Sequence, residues 1–262
     1  MALLTLLTAT LAGCAGRSGV PIIGWALDGF GDPPLVEASE KAFDLYDPDR
    51  RRQGIQELAD SPFGAEEAYL IAYRVALGPP PEPASQDPAV RAAALRALGR
   101  HGVEADATIA VHFLEDGSEF ARWEAARALE HLPGAAPGEV RALRDVLIDI
   151  EQPSDVRQAV ARALGKHRNT LAFDTLATTL ADSDFAVVEA ARGSLVTLTG
   201  QDGLGIEPSA WVEWAGTRRA ELFRDARPYT PLPYPKPPTL WERLGPGESD
   251  SPAADTAAEP AE

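Results

Sequence analysis

Cys14 is the only cysteine in the 262-residue chain, and its setting is the most specific chemical signal in the sequence. It closes an uncharged, largely apolar run, residues 2–12, through Leu11, Ala12 and Gly13. That run is too short to span a bilayer as a helix and has the length of the apolar region of a signal peptide. A thiol ionises to a nucleophile that attacks carbon electrophiles, and small residues before it let the backbone enter a peptidase cleft. One cysteine excludes an intrachain disulfide, and with four histidines it cannot build a Cys-rich zinc site.

The other residue types that could do chemistry are arranged differently. His101, His131 and His167 each fall two or three residues past a leucine that closes a helical pattern, where an imidazole benefits from the helix dipole. Spaced a full repeat apart, they are too distant for a common metal. Asp28-Gly29-Phe30-Gly31-Asp32 reads as a turn, since it lacks the further oxygen ligands of a calcium loop. No phosphate loop, nucleophile elbow, His-Glu-x-x-His pair or dinucleotide fingerprint is present. Carboxylates alternate with arginines at helical spacing, as in Glu124/Arg127, Arg141/Asp145 and Asp155/Arg162, and read as solvated face pairs. Four arginines, Arg51, Arg91, Arg122 and Arg157, recur at one repeat position and are expected to hydrogen-bond between units as a ladder. Enzymatic activity, a cofactor and a small-molecule substrate are therefore not expected.

Net charge is −16. Residues 1–86 sum to −6, 87–168 to −2, 169–226 to −5 and 227–262 to −3, so the centre is nearly neutral and both flanks are acidic. No basic strip is available for a phosphate backbone, which argues against nucleic acid as a partner. Arg96, Arg100, Arg127 and Arg162 form a local cluster, and were they to face one way an acidic protein segment would suit them.

The elements that would position these residues are repetitive. A stripe at i, i+4 and i+8, apolar except in the first copy, which departs with Arg50 and Gly54, defines five copies of one helix: Arg50/Gly54/Leu58, Val90/Ala94/Leu98, Ala121/Ala125/Leu129, Val156/Val160/Leu164 and Val187/Ala191/Leu195. Their closing leucines stand 40, 31, 35 and 31 residues apart, which is solenoid spacing. Ala97, Ala128 and Ala163 precede that leucine, and Ala93, Ala159 and Ala190 sit where neighbouring helices approach. A shorter apolar-periodic stretch precedes each copy, at 36–45, 66–77, 104–114, 139–150 and 171–180, and predicts the first helix of a pair. Asp and Ser in the turns at 116–118, 152–155 and 182–184 are expected to cap the following helix.

Two resemblances follow from these residues. Leu11-Ala12-Gly13-Cys14 resembles the lipobox of bacterial lipoproteins, which implies cleavage before Cys14 and a thioether diacylglycerol on its sulfur. The Lys or Arg usual before the apolar run is absent. Ala15 in place of Asp implies, by the enterobacterial sorting rule, the outer membrane facing the periplasm. Asp87-Pro88-Ala89-Val90-Arg91 with Ala94, Leu98 and Gly99, and Pro153-Ser154-Asp155-Val156-Arg157 with Val160, Leu164 and Gly165, resemble HEAT-like repeats, an armadillo-type family with phycobilisome-lyase-like variants. The resemblance implies an all-α, right-handed α-solenoid of about five helix pairs, with binding of protein or peptide along its concave face. It also leaves open bilin attachment or chaperone activity of the lyase-like kind. Gly200, Gly203 and Gly205 followed by Pro208, Trp211 and Trp214 resemble the terminal segment of such proteins, where a Trp-bearing helix caps the stack.

The expected organisation is a signal peptide at 1–13, a lipidated tether at 14–34, a repeat solenoid at 35–226 and a tail at 227–262. The tail opens with six prolines and two tyrosines in residues 227–238, a composition that favours polyproline II. It ends Ala-, Ser-, Pro- and acid-rich, a composition that favours disorder. The Pro–Tyr segment reads as a spacer, a peptide docked back on the solenoid, or a docking site for another protein, and Tyr229, Leu232, Tyr234 and Trp241 are unusual in a plain spacer. Contact with the cell wall through this tail is an alternative role. The lipid anchor gives the first test: Cys14→Ser should move the protein from the membrane to the soluble fraction on cell fractionation, and its retention in membranes would remove the lipoprotein reading.

Overall fold

The computed structural model describes residues 35–78, 85–216, 218 and 221–224. Among these residues the chain is all-α, with eleven α-helices, two 3₁₀ turns and no strand. The helices are α1 (Leu35–Ala42), α2 (Pro48–Asp60), α3 (Glu67–Leu77), α4 (Pro88–His101), α5 (Ala107–His112), α6 (Glu119–His131), α7 (Glu139–Ile148), α8 (Ser154–Leu164), α9 (Thr170–Thr179), α10 (Phe185–Thr199) and α11 (Pro208–Gly216). They form five antiparallel pairs, α1/α2 to α9/α10, with α11 packed on α9.

The second helix of each pair carries the core. Leu58, Leu98, Leu129, Leu164 and Leu195 are all fully buried, as are Ala94, Ala125, Val160 and Ala191 one turn earlier. Burial of a leucine side chain contributes about 1.5–3 kcal/mol, so one leucine per pair fastens each unit to the common core. Successive second helices touch along the whole stack, whereas successive first helices make much slighter contact. The second helices α2, α4, α6, α8 and α10 thus form the continuous, tightly packed row of the stack, the inner row. Alanines permit that packing: Ala93, Ala97, Ala128, Ala159, Ala163 and Ala190 are buried in this row.

Local chemistry starts and stops the helices. Asp47, Asp87 and Asp184 accept from the first free N–H groups of α2, α4 and α10, and Pro48 and Pro88 follow the first two caps. Asn169 does the same for α9 at 2.9 Å. The expected caps of α6 and α8 are replaced. Ser118 makes no side-chain cap, and Ser154 is itself the first residue of α8 behind Pro153. In the turns before α6 and α10, Asp116 and Asp182 instead accept from Ser118 N and Asp184 N, both at 2.8 Å. Gly200 ends α10 in the left-handed region at φ 73°, where glycine meets no Cβ penalty, and its N–H reaches Val196 O at 2.7 Å. Gly205 is left-handed too, whereas Gly203 is not.

Two expectations for the helices are corrected. The stretch 104–114 is not one helix but a 3₁₀ turn at Glu104–Asp106, the short α5 and a second 3₁₀ turn at Phe113–Glu115. Asp106 is the cause: it is buried, accepts from Val103 N at 2.9 Å and takes Arg74 of α3 at 2.7 Å, which fixes a tight turn at the helix start. In the first pair, Arg50 is exposed and pairs with Asp44 at 3.6 Å, while its neighbour Arg51 is buried. The helical stripe of α2 is therefore offset by one position at its start.

The closest backbone approach is at Gly54, where α1 crosses α2. A Cβ there would lie 2.6 Å from Ala38 O and closer still to Ala42 N. At Gly193 in α10 a Cβ would meet nothing within 4 Å. Two alanine substitutions should therefore differ in sign on denaturant unfolding: Gly54→Ala should destabilise by about 1–3 kcal/mol through overpacking, and Gly193→Ala should stabilise by up to about 1 kcal/mol through helix propensity. Equal effects would contradict the packing described.

Candidate functional site

The exposed side of the inner row is where a bound chain would meet rigid structure. On α6, Phe120, Trp123 and Arg127 fall on one stripe because they are three and four residues apart. The Phe120 and Trp123 rings stack at 6.0 Å and 17°, and the Arg127 guanidinium lies 4.6 Å above the Trp123 ring. Phe120 stays 44% exposed. Beneath the stripe, Glu124 is fully buried and receives Arg96 from α4, with Nε at 2.8 Å, and Arg127 Nη1 at 3.4 Å. The carboxylate thus ties α4 to α6 and holds Arg127 over the tryptophan. Pro153, Asp155 and Val156 of the next unit complete a cleft of about 250 Å³ beside the aromatic pair.

A second groove, about 530 Å³, runs between α8 and α10. Arg162 and Gln158 line one wall; Phe185, Glu189 and Gly193 line the other, and Glu130 of α6 closes one end. Phe185 is 67% exposed, and Gly193 offers no side chain, which leaves the groove open at its middle. Phe185 is tolerated at the first helical position because Asp184 caps the helix there. This face offers aromatic surfaces, a stacked guanidinium and a shallow channel, which together suit stacking and apolar contact with an extended chain. Among the described residues no group of three or more His, Cys, Asp and Glu could hold a metal ion.

The repeat arginines are placed as follows. Arg91 makes a two-pronged pair with Asp116, Nε at 2.8 Å and Nη2 at 2.7 Å, while its Nη1 donates to Ser85 O. Arg122 donates to Gln152 Oε1 at 2.9 Å and to Asp116 O at 2.7 Å. Arg157 pairs with Asp182. Each of these three reaches the turn of the following unit. Arg51 differs: it is buried, its Nε has no partner among the described residues, and burial pushes its guanidinium below the ordinary arginine value. Trp211 is fully buried, donates from Nε1 to Gly205 O at 2.9 Å and meets Phe173 of α9 edge-on at 6.5 Å. Trp214 is half-buried against Trp211 and Phe173. Cys14, the expected tether and the tail from 227 onward lie outside the described residues.

Several charge readings change. Arg96 and Arg127 converge on the one carboxylate of Glu124, and Arg100 pairs with Asp60, so three of the four clustered arginines are drawn into ion pairs that still sum to one positive charge. Glu124/Arg127 is a buried link, not a solvated pair. Asp145 sits 3.8 Å from Arg144 rather than pairing with Arg141. Sequence reasoning missed Phe120, Trp123, Phe185 and Gly193 as a face. The available signal was large aromatics just before the buried stripe in two of five repeats.

No protein-family model matches the chain, and no curated protein matches it. Among solved structures it is similar to two engineered proteins, at 17% identity over 74% of this chain and 90% of that one, and at 19% identity over 74% and 92%. It is also similar to a designed armadillo repeat protein in complex with the peptide (KR)4, at 15% identity over 74% and 94%. All three have a TM-score of 0.47. Likeness at this level adds nothing to the fold, which rests on the packing described above.

A buried polar cluster holds the outer end of the fourth pair. Glu139, at the start of α7, accepts from Ala136 N at 2.7 Å, lies 3.0 Å from Lys166 Nζ and 2.9 Å from His167 Nε2. Lys166 also donates to the Leu129 and Leu132 carbonyls, which closes the end of α6. His167 is thus part of a buried bridge rather than a simple helix-end imidazole. Burial pushes the Glu139 carboxyl up, but the His167 hydrogen bond and the Lys166 charge outweigh it and hold it below the ordinary glutamate value. Burial lowers Lys166, partly offset by Glu139. A depressed carboxyl contributes stability above its unfolded pKa and loses it as pH falls through the folded one. Glu139→Gln should therefore cost about 3 kcal/mol at pH 7, and its deficit against the natural chain should shrink as pH is lowered through the carboxylate range. A deficit constant from pH 7 to pH 3 in urea unfolding would show that the Glu139 charge is not the source.

Proposed function

We propose that this chain is a non-enzymatic, lipid-anchored helical-repeat scaffold of the bacterial cell envelope, binding an extended protein or peptide segment along its inner face. The observation that carries the binding role is the stacked Phe120–Trp123–Arg127 stripe, continued by the open α8–α10 groove on the same row of helices. Exposed aromatics on a rigid helical face are costly to leave in water and cheap to bury, because few rotamers remain to be lost on binding. In this reading the arginine ladder and the Trp211/Trp214 helix are structural: the first sets the register between units and the second closes the open end.

The address rests on Leu11-Ala12-Gly13-Cys14. In this proposal residues 1–13 are removed, Cys14 carries the acyl chains, residues 14–34 are a tether and the outer membrane is the destination. Each buried CH₂ of the acyl chains contributes about 0.8 kcal/mol, so two or more chains anchor stably. No helix among the described residues is long and apolar enough to cross a membrane.

The binding role is tested by affinity capture from detergent-solubilised envelopes, comparing the natural chain with Trp123→Ala and Gly193→Trp. A tryptophan at the centre of an interface carries about 2 kcal/mol or more, so partner recovery should fall by about tenfold or more. Capture unchanged in both variants would remove the inner face as the binding surface.

A further inference from the structure

We infer that residues 227–238 of this chain dock in cis across the α8–α10 groove toward the Phe120–Trp123 stripe, and so compete with the partner for the inner face. The inference rests on the proposed binding role for its competitive part, but the docking itself stands on where the chain leaves the fold, how far it reaches and what the groove would take.

The exit point comes first. After α11 the chain folds back onto the stack, and Phe223 lies under the Arg168 guanidinium at 5.5 Å. Leu222 and Phe223 line a cleft with Thr197 of α10, and Thr197 also lines the α8–α10 groove. Residue 227 is three residues beyond Arg224, and three residues span at most about 10 Å, so the groove is within reach of the start of the Pro–Tyr segment. Reach comes second. Twelve residues at the polyproline II rise of 3.1 Å extend about 37 Å. Neighbouring helices pack about 10 Å apart and the aromatic stripe lies about eleven residues, or about 17 Å, back along the helix axis from the level of Thr197, so the diagonal from α10 over α8 to α6 is about 26 Å. The segment is long enough to pass the groove and arrive at the aromatic stripe.

Chemistry comes third. Residues 227–238 contain Tyr229, Leu232, Tyr234 and six prolines, with Arg227 and Lys236 as bases and no acid. Proline-rich segments of this kind dock on aromatic-lined grooves with little ordering cost. Phe185 and the Phe120–Trp123 pair supply the aromatic surfaces, and Gly193 leaves room between them. The rim is mixed and only mildly acidic: Glu130, Glu189 and Arg162 line the groove, Glu189 itself pairs with Arg192 at 3.2 Å, and Glu119 and Asp155 flank the aromatic pair over which Arg127 lies. The end of the chain is the wrong occupant, since residues 244–262 carry five acids and no base. Tethering supplies an effective concentration of about millimolar, so even weak contacts fill the groove until a partner displaces the segment.

The test uses the full chain carrying Cys14→Ser, with the photo-cross-linker p-benzoylphenylalanine at position 234. Irradiation should give intrachain adducts that peptide mass spectrometry maps to 185–197 or 120–130. Gly193→Trp, which plugs the groove at a position where a Cβ meets nothing, should lower the adduct yield by about tenfold; Phe185→Ser provides a second variant at an exposed position. Adducts confined to the tail itself, adducts formed only between chains, or a yield insensitive to both substitutions would overturn the inference. The two readings fail separately. Loss of partner capture in Gly193→Trp without intrachain adducts in the natural chain leaves the binding role standing and removes cis docking. Adducts at 185–197 with partner capture unchanged by Gly193→Trp and Trp123→Ala keep cis docking and remove the competition.

Discussion

The close approach of successive inner helices is the constraint on which the rest of this molecule depends. A helix pair buries too little apolar surface to stand alone, so each pair must bury its second helix against both neighbours. That requires small residues wherever two inner helices meet, and the chain supplies alanine at Ala93, Ala97, Ala128, Ala159, Ala163 and Ala190. Gly54 meets a related requirement within the first pair, where α1 crosses α2. The continuous packing of successive second helices sets the exposed sides of α6, α8 and α10 next to one another. The same logic requires something large at the far end, where no further pair follows, and Trp211 fills that place without exposure.

Apolar packing of alanines is nearly featureless along the helix axis, so it leaves the sliding of one unit on the next weakly determined. The charged groups remove that freedom. Arg91, Arg122 and Arg157 each reach from one unit into the turn of the following one, and Asp116 serves two of them, with its carboxylate to Arg91 and its carbonyl to Arg122. Arg96–Glu124–Arg127 and Glu139–Lys166–His167 add links through carboxylates with almost no solvent access. Buried ion pairs add little net stability against apolar replacements, but they are directional, and a slipped register would leave charges buried without partners. The face over α6 inherits this precision, since Arg127 is held over Trp123 by the same carboxylate that ties α4 to α6.

Much of this was legible in the sequence, for a physical reason. The buried stripe repeats because every unit meets the same environment, so the five closing leucines announced both the helices and their spacing, and all five are buried. Readings based on local spacing did less well. Glu124 and Arg127 are three apart, which resembles a solvated pair, and nothing nearby reveals Arg96 from 28 residues earlier. The break in 104–114 arises from Arg74 of another unit gripping Asp106. His167 seemed a helix-end residue because Glu139 is likewise 28 residues away. The aromatic face escaped notice because Phe120 and Phe185 are exposed, with no buried stripe to impose a period, and Trp123 is only partly buried against the core. Phe120 and Trp123 meet within α6, but Phe185 joins their side of the stack only once the units are packed.

A face built this way has a particular competence. Its hydrogen-bonding groups are largely spent: Glu124 holds two arginines, Arg100 is paired with Asp60, and the helix backbones are satisfied internally. A ligand that needs many directional hydrogen bonds would find few here. A ligand with few backbone donors, an extended shape and flat apolar side chains would lose little by leaving water and would find rings already locked in place. Proline-rich chain fits that description better than a helix, which needs a wide continuous trough, or a strand, which needs an open sheet edge. The character of the inner face thus follows from the rule that built the stack: small residues inward bring the helices close, and closeness places the few large outward residues within reach of one bound segment.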